Sequence, residues 1–428
     1  MLYVAVLGAV LIVTMLLGVP IAFALLLSAA AAIFALGDIS VIVVAQQLYS
    51  GMDGFLLLAI PLFLLAGDLM ALGGLTDRLL DFTNAVFGRF RGGLAVSNVA
   101  AATVMAGISG SAVADTGALG KVMIPSMVKS GYDRSFAAAL TAAANVVGPI
   151  IPPSITFIII SVLTNLSPLR LFIAAVIPGL LYSGGMVCMA LYLSRKRGYP
   201  KQPPSSAREI GTQFVGAFWA VIMPIWLIGG IRLGFFNVTE SSAFAVLYAF
   251  VVGRFIYREL TFRKVWQALV ASARTTAIIL IILGCANLVA WLLAYENAPG
   301  TLGAWIQSVA SSPIVFLLMV NVLLVFIGTF MENAPALVML MPVLFPISQK
   351  YGIDPYHFSM IMGVNLLIGL ITPPVALCSM IAGTIAEVPF GSVIREGWPF
   401  YFTAVAVVLL VTYIPALSLW LPNLIGGY

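Results

Sequence analysis

Two stretches of this chain place glycines, hydroxyl groups and an acidic side chain inside strongly apolar sequence. They are residues 107–117 (GISGSAVADTG) and residues 328–335 (GTFMENAP). A helix that is interrupted in hydrocarbon leaves backbone N–H and C=O groups without water, so the break is tolerated only where protein or a wet cavity covers it. Unwound backbone presents carbonyl oxygens, and hydroxyls add further oxygen ligands for a small hard cation. The two stretches are therefore candidate sites.

Two proline-rich breaks follow these stretches, at residues 148–153 (GPIIPP) and 369–374 (GLITPP). Consecutive prolines remove backbone donors and prevent a continuous helix. We expect one sodium site where the first stretch, with Ser109, Ser111 and the hydroxyl of Thr116, meets the first break. We expect a second where residues 329–333 meet the second break, which carries Thr372. The structural alternative is close helix packing, since small residues and hydroxyls also allow helices in lipid to approach one another.

The stretches and breaks belong to an internal repeat with an offset of 221 residues, since 107 + 221 = 328 and 148 + 221 = 369. The same offset aligns a series of Pro, Lys, Gly and Asp residues: Pro125, Lys129, Gly131 and Asp133 meet Pro346, Lys350, Gly352 and Asp354. Five crossings separate corresponding points, and because five is odd we expect the second copy to be inverted. Inverted repeats with discontinuous helices are typical of secondary transporters, which bind substrate and ions near the membrane midplane.

Two acids lie in the interrupted stretches, Asp115 and Glu332, and intramembrane acids are functional candidates by default. Each could hold an ion, shape a substrate pocket or pair with a neighbour such as Lys121. Asn145 and Asn365 precede the two breaks and could brace them or touch substrate. The positive ends of half-helix dipoles near the tips suit an anionic substrate. The candidate substrate contacts are Asp115, Thr116, Asn145, Glu332 and Asn365.

The composition predicts an all-α polytopic membrane protein. Of 428 residues, 62% are hydrophobic and 8% are charged, against about 25% charged in soluble domains. The net charge of +5 comes from basic residues in short hydrophilic gaps, so membrane orientation explains it better than nucleic-acid binding. Apolar runs long enough to cross the bilayer are predicted at residues 2–18, 21–36, 55–72, 169–194, 214–231, 241–256, 275–294 and 400–421.

Charged loops predict the orientation and the domain plan. Residues 195–208 (RKRGYPKQPPSSAR) are the most hydrophilic stretch and are assigned to the cytoplasm by their basic residues. The first repeat, 1–194, then contains scaffold helices 1–72, an interfacial helix 76–91, a re-entrant hairpin 94–125 and a broken helix 136–161. A cytoplasmic linker, 195–212, precedes the second repeat, 213–428, with scaffold helices 214–294, a re-entrant hairpin 313–346, a broken helix 358–386 and a final helix 400–421.

Enzyme functions are disfavoured. The single histidine, His357, leaves no His-rich metal site or Ser/His triad, and no phosphate-binding loop is present to use ATP. Glu240 is predicted to cap a helix rather than to bind a ligand. An ion channel remains an alternative, but the sequence shows no ring of like charges, and inverted hairpins favour alternating access.

The chain resembles a known family at these positions. Residues 109–116 (SGSAVADT), the GPIIPPS and GLITPP breaks and the Thr239–Glu240 pair are similar to the large membrane subunit, DctM-like, of tripartite ATP-independent periplasmic (TRAP) transporters. The resemblance covers nearly the whole chain. It implies an elevator-type sodium symporter in the bacterial cytoplasmic (inner) membrane that imports organic acid anions such as C4-dicarboxylates, sialic acids, other sugar acids or sulfonates.

The resemblance also implies residue roles and partners. One sodium site would be lined by Ser109, Ser111, Gly148 and Pro153, the other by Thr329, Gly369 and Thr372, with Asp115 and Glu332 near the substrate cavity. Sodium would be the only cofactor. The partners would be a small four-helix membrane subunit, expected as a separate chain because no extra N-terminal bundle precedes the first span, and a soluble periplasmic substrate-binding protein. Proton coupling through Asp115 or Glu332 is the alternative energy source.

Overall fold

A computed structural model of the chain describes residues 2–37 and 39–425, so the outer bounds of the predicted repeats, residues 1 and 428, lie outside it. The described residues form helices without strands. The first half contains α1 (Leu2–Leu16), α2 (Ile21–Leu36), α3 (Val41–Ser50), α4 (Ala59–Leu72), α5 (Leu75–Phe87), α6 (Gly93–Ser109), α7 (Ala112–Lys129), α8 (Arg134–Asn145), α9 (Ile155–Thr164) and α10 (Pro168–Lys196). The second contains α11 (Ala207–Arg232), α12 (Val238–Val251), α13 (Phe262–Tyr295), α14 (Ala298–Val309), α15 (Pro313–Gly328), α16 (Asn333–Lys350), α17 (Pro355–Ile368), α18 (Leu377–Ala386), α19 (Phe390–Tyr413) and α20 (Ala416–Ile425).

The helices have the lengths of membrane spans. Within the described ranges, six are long and apolar enough to cross a bilayer, or seven if 300–309 and 313–328, which meet at a bend of 110°, count as one. The predicted spans at 2–18 and 21–36 are apolar helices of 15 and 16 residues, somewhat short of the about 20 that a perpendicular crossing needs. The chain is thus an all-α polytopic membrane protein, as predicted.

Helix bounds follow the repeat. Adding 221 to α7 gives 333–350, since 112 + 221 = 333 and 129 + 221 = 350, and these are the bounds of α16. Adding 221 to the first residue of α8 gives 355, where α17 begins. Each repeat therefore contains a helical hairpin, hairpin 1 (α6–α7) or hairpin 2 (α15–α16). Each hairpin is followed by a broken helix, with break 1 between α8 and α9 and break 2 between α17 and α18.

The two hairpins enter from opposite sides. At the start of α10, the Ser167 N–H donates to the Tyr356 hydroxyl (3.4 Å), beside the base of hairpin 2. Just beyond the other end of α10, Tyr199 stacks on Tyr132 at the base of hairpin 1, with ring centroids 4.3 Å apart. The 29 residues of α10 span about 43 Å at about 1.5 Å per residue. The bases of the hairpins therefore lie at opposite ends of this helix, the arrangement that an inverted repeat predicts.

The half-helices before the breaks form the centre of the molecule. Every residue from Phe136 to Asn145 in α8 and from His357 to Ile368 in α17 is buried. Each hairpin also packs against a half-helix of the other repeat. In hairpin 1, α7 packs against α8 and against α18 of the second repeat, whereas in hairpin 2, α16 packs against α17 and against α9 of the first repeat. Each hairpin therefore contacts a broken helix from both repeats, which brings the two tips towards one central region.

Several predicted bounds differ from the structure. The final helix, predicted at 400–421, begins at Phe390 and ends at Tyr413, because Pro389 precedes its first turn and Pro415 interrupts the chain before α20. The linker predicted at 195–212 is shorter, since α10 continues to Lys196 and the Ser206 side chain caps α11. Residues 295–312, where no helix was predicted, contain α14. This helix is the counterpart of the predicted interfacial helix 76–91, which the structure has as α5.

Candidate functional site

The tip of hairpin 1 is a tight turn held by side chains. Gly110 has a φ of +63°, a conformation that glycine adopts without steric cost. Ser111 follows as the N-cap of α7 and accepts a hydrogen bond from the Ala114 N–H (3.3 Å). The Ser109 hydroxyl accepts from the Ser111 N–H (3.2 Å) and donates to Asp115 Oδ1 (2.5 Å). The interruption is narrower than residues 107–117, because this cap restarts the helix at Ala112 and leaves Asp115 in its first turn.

The tip lies directly against break 1. A Cβ atom on Gly148 would lie 3.0 Å from Asp115 Oδ2, and one on Gly110 would lie 3.0 Å from the Pro153 carbonyl oxygen. Such contacts are too tight for most side chains, so glycine allows the two backbones to approach. The structure therefore brings Ser109, Ser111, Gly148 and Pro153 together, as expected for the first site.

Acceptor oxygens remain unpaired where these segments meet. Asp115 is 1% exposed, and its Oδ2 atom has no hydrogen-bond partner within the described part of the chain. The same is true of Asn145 Oδ1, three residues before Gly148. A buried acceptor without a partner costs about 1–3 kcal/mol, and a bound cation would offset that cost. The Ser109 hydroxyl donates a hydrogen bond to Asp115, so a free lone pair on its oxygen can also face a cation.

The tip of hairpin 2 meets break 2 in a similar way. Gly328 and Gly369 touch so closely that a Cβ atom on Gly369 would overlap the Gly328 carbonyl group. The Val375 N–H donates to the Thr329 carbonyl oxygen (3.3 Å). The hydroxyls of Thr329 and Thr372 donate to carbonyls of their own helices at 2.7 and 2.9 Å, which leaves oxygen lone pairs available. Thr329, Gly369 and Thr372 are thus neighbours, as the second predicted site requires.

Both tips meet near the start of α18. The Cys378 thiol, at the second position of this helix, is close enough to Thr116, Asp115 and Glu332 to interact electrostatically with each of them. Glu332 occupies the N-cap position of α16, but its exposed side chain makes no capping bond. Residues of hairpin 1 and hairpin 2 therefore converge on one helix terminus.

Some predicted substrate contacts are enclosed by protein. Thr116, Asn145 and Asn365 are fully buried. Asn365 donates to Asn321 Oδ1 (2.6 Å), which also accepts from the Thr412 hydroxyl (3.1 Å). This network ties the first arm of hairpin 2 to α17 and α19. Asn365 is therefore placed to brace the helices around break 2, one of the two roles that the sequence left open for the asparagines.

A cavity of about 410 Å³ opens beside the tip of hairpin 1, between α7 and the helices α4 and α13. Three of its lining residues were not predicted to lie together. They are Asp68 and Lys121, which are charged residues in apolar sequence, and Gln267. Lys121 and Asp115 are both described and are not ion-paired. The polar lining consists of Asp68, Ser109, Ser111, Asp115, Lys121 and Gln267.

Glu240 lies outside this region. It forms a reciprocal capping box with Asn237, in which the Glu240 carboxylate accepts from the Asn237 N–H and the Asn237 side chain accepts from the Glu240 N–H, both at 2.8 Å. This confirms its predicted role as a helix cap.

Comparison with known proteins identifies the family. The family described as "Tripartite ATP-independent periplasmic transporter, DctM component" matches residues 9–417. The chain belongs to this family. It is 36% identical to the C4-dicarboxylate TRAP transporter large permease protein DctM of Rhodobacter capsulatus, over 97% of this chain and 98% of that protein. It is also 36% identical to the sialic acid TRAP transporter large permease protein SiaM of Vibrio cholerae, over 96% of each chain.

The fold also resembles that of a solved transporter. The YdaH transporter of Alcanivorax borkumensis superposes with a TM-score of 0.59 at 18% identity, over 89% of each chain. This likeness concerns the fold alone. As a TRAP large permease, the chain is a transporter subunit and not an enzyme, and it is a multi-pass protein of the bacterial inner membrane.

Proposed function

We propose that this TRAP permease couples the import of an organic acid anion to sodium. The observation that supports the proposal best is the buried, unpaired Asp115 Oδ2 where the tip of hairpin 1 meets Gly148. A sodium ion there would bind Asp115, the Ser109 hydroxyl and carbonyls of break 1. A second ion would bind near Thr329 and Thr372.

Two cations beside the hairpin tips would offset the charge of an incoming acid, which is otherwise costly to move through a membrane. The hairpins and broken helices (α6–α9 and α15–α18) would slide as one body against a scaffold (α1–α5 and α11–α14) in an elevator motion. The position of the 410 Å³ cavity supports this division, because one wall belongs to hairpin 1 and the other to α4 and α13.

The substrate would be a small organic acid. The cavity lies within the about 300–1,000 Å³ typical of small-molecule sites. The two relatives are named as permeases for C4-dicarboxylates and for sialic acid, so we propose substrates from the same range, including other sugar acids and sulfonates. As in the family, a small four-helix membrane subunit and a soluble periplasmic binding protein would complete the transporter.

Reconstitution tests this function. Proteoliposomes that contain both membrane subunits would be supplied with the binding protein and a labelled acid, with and without an inward sodium gradient. We expect accumulation only with sodium. Uptake that follows a pH gradient without sodium would instead support proton coupling, for which the buried Asp115 carboxyl is the candidate carrier. Flux in the absence of the binding protein would support a channel.

A further inference from the structure

We propose that Lys121 binds the anionic group of the transported acid, and that Asp68 replaces the acid as the counter-charge of Lys121 when it leaves. The inference rests on the proposed function, because it assigns the substrate contact within the same cavity. It adds a charged partner for the acid that neither the hairpin tips nor the breaks provide.

The charges that line the cavity single out Lys121. It is the only cationic residue among those that line the cavity in the described structure. The Asp115 carboxylate is turned to Ser109 and Gly148 and is nearly inaccessible. Within the described ranges, neither Lys121 nor Asp68 forms an ion pair or a side-chain hydrogen bond. The cavity thus contains one uncommitted cation and one uncommitted anion on opposite walls, with Lys121 on α7 and Asp68 on α4.

The position of Lys121 sets the length of acid that it can bind. It lies ten residues after Ser111, or about 15 Å along α7 at about 1.5 Å per residue. Side chains of a helix lean towards its N-terminus, so the lysine stem leads its ammonium group back towards the tip. An acid bound to Lys121 must therefore carry polar groups at a distance from its anionic end in order to reach Ser111 and the tip. Extended dicarboxylates and sugar acids satisfy this condition, whereas acetate does not.

Asp68 explains how the acid can leave. Lys121 is exposed and lines the cavity, so an anion on the opposite wall can take the place of the acid after release. The cavity reaches Leu72, the last residue of α4, whose carbonyl oxygen accepts a hydrogen bond from Lys264 Nζ (2.9 Å). Lys264 follows Arg254, Arg258 and Arg263, and these basic residues assign its segment to the cytoplasm. Asp68 thus lies between the hairpin tip and the cytoplasmic exit, where it can compete with the acid for Lys121.

The test measures the affinity of the permease for acid at its inner face. Binding there is separate from capture of the acid by the periplasmic protein. Proteoliposomes with the complete transporter would be assayed for succinate, N-acetylneuraminate, gluconate and isethionate. For each acid that the wild type accumulates, the concentration of unlabelled acid inside the liposomes that halves the uptake of labelled acid is determined. We expect this concentration to rise at least about tenfold in Lys121→Gln, since removing one partner of a close charge pair has effects of this size or larger. In Lys121→Arg it should change less than about threefold, because the charge is kept.

Two further variants sharpen the test. Lys129→Gln removes a charge from the exposed last turn of the same helix, outside the cavity, and should behave as wild type. Asp68→Asn removes the competing anion, so the inhibitory concentration should fall and the maximal rate should decrease. Unchanged inhibition in Lys121→Gln with normal sodium-driven uptake would overturn this inference alone. Failure of the wild type to accumulate any of the four acids would overturn the proposed function and this inference with it.

Discussion

The Ser109 hydroxyl donates a 2.5 Å hydrogen bond to Asp115 Oδ1 and so joins the last residue of α6 to the first turn of α7. The bond fixes the direction in which the hydrogen of the Ser109 hydroxyl points. The remaining lone pair of Ser109 and the second oxygen of Asp115 are left as acceptors beside break 1. The carboxylate therefore both orients a neighbouring ligand and offers one of its own.

Replacing Asp115 should separate sodium coupling from proton coupling. Asp115→Ala removes both functions of the carboxylate, and we expect the sodium concentration for half-maximal uptake to rise at least about tenfold. Asp115→Asn keeps an acceptor for Ser109, so the increase should be smaller. If Asp115 carries the coupled proton, Asp115→Asn should instead abolish uptake. Initial uptake rates measured against sodium concentration distinguish these outcomes.

Ser111→Ala should weaken sodium activation and also destabilise α7, because Ser111 caps that helix. Loss of an N-cap costs about 1 kcal/mol. Ser206→Ala is the matched control, since Ser206 caps α11 with the same type of hydrogen bond (3.1 Å) far from the cavity. Both variants should lose a similar amount of thermal stability, but only Ser111→Ala should need more sodium. Equal sodium activation in the two would remove Ser111 from the site.

Gly369→Ala should inactivate transport. The new methyl group would overlap the Gly328 carbonyl and force hairpin 2 away from break 2, with an expected loss of about 1–3 kcal/mol of stability. Gly184→Ala provides the control, because a Cβ atom there meets nothing within 4 Å. Uptake and melting temperature should be near normal in the control. Full activity of Gly369→Ala would mean that the close contact is not required.

Asn321→Ala should destabilise the protein without changing sodium activation. The substitution removes the acceptor of the Asn365 amide and of the Thr412 hydroxyl. Leaving such buried groups unpaired costs about 1–3 kcal/mol. Melting temperature and the sodium dependence of uptake are the measurements. A shift in sodium dependence would instead give Asn365 the functional role that its position before break 2 had suggested.

The sequence predicted those features that depend on backbone chemistry. Breaks 1 and 2 contain prolines, and glycines lie where the hairpin tips touch the breaks. Both constraints can be recognised in the local sequence. The inverted arrangement followed from the repeat and an odd number of crossings. Gly148 and Gly369, placed in corresponding breaks by the offset of 221, both contact the tip of the hairpin from their own repeat.

Other features depended on packing between distant segments. Asp68 and Lys121 are 53 positions apart, since 121 − 68 = 53. They line one cavity because α4 and α13 lie opposite α7 in the folded chain. Asn365 precedes a break in sequence but points to Asn321 in space. The helix α14 was missed because residues 298–309 lack the charges that make α5 recognisably amphipathic, although the offset applied to 76–91 would have indicated it.

The most direct test of the account is equilibrium binding of ²²Na⁺ to the purified transporter complex in excess potassium. We predict saturable sodium binding in the wild type, with one component lost in Ser109→Ala and the other in Thr329→Ala, because the two hydroxyls belong to different hairpin tips. Sodium binding that potassium abolishes, or that both variants retain in full, would contradict the claim that the tips and breaks hold sodium.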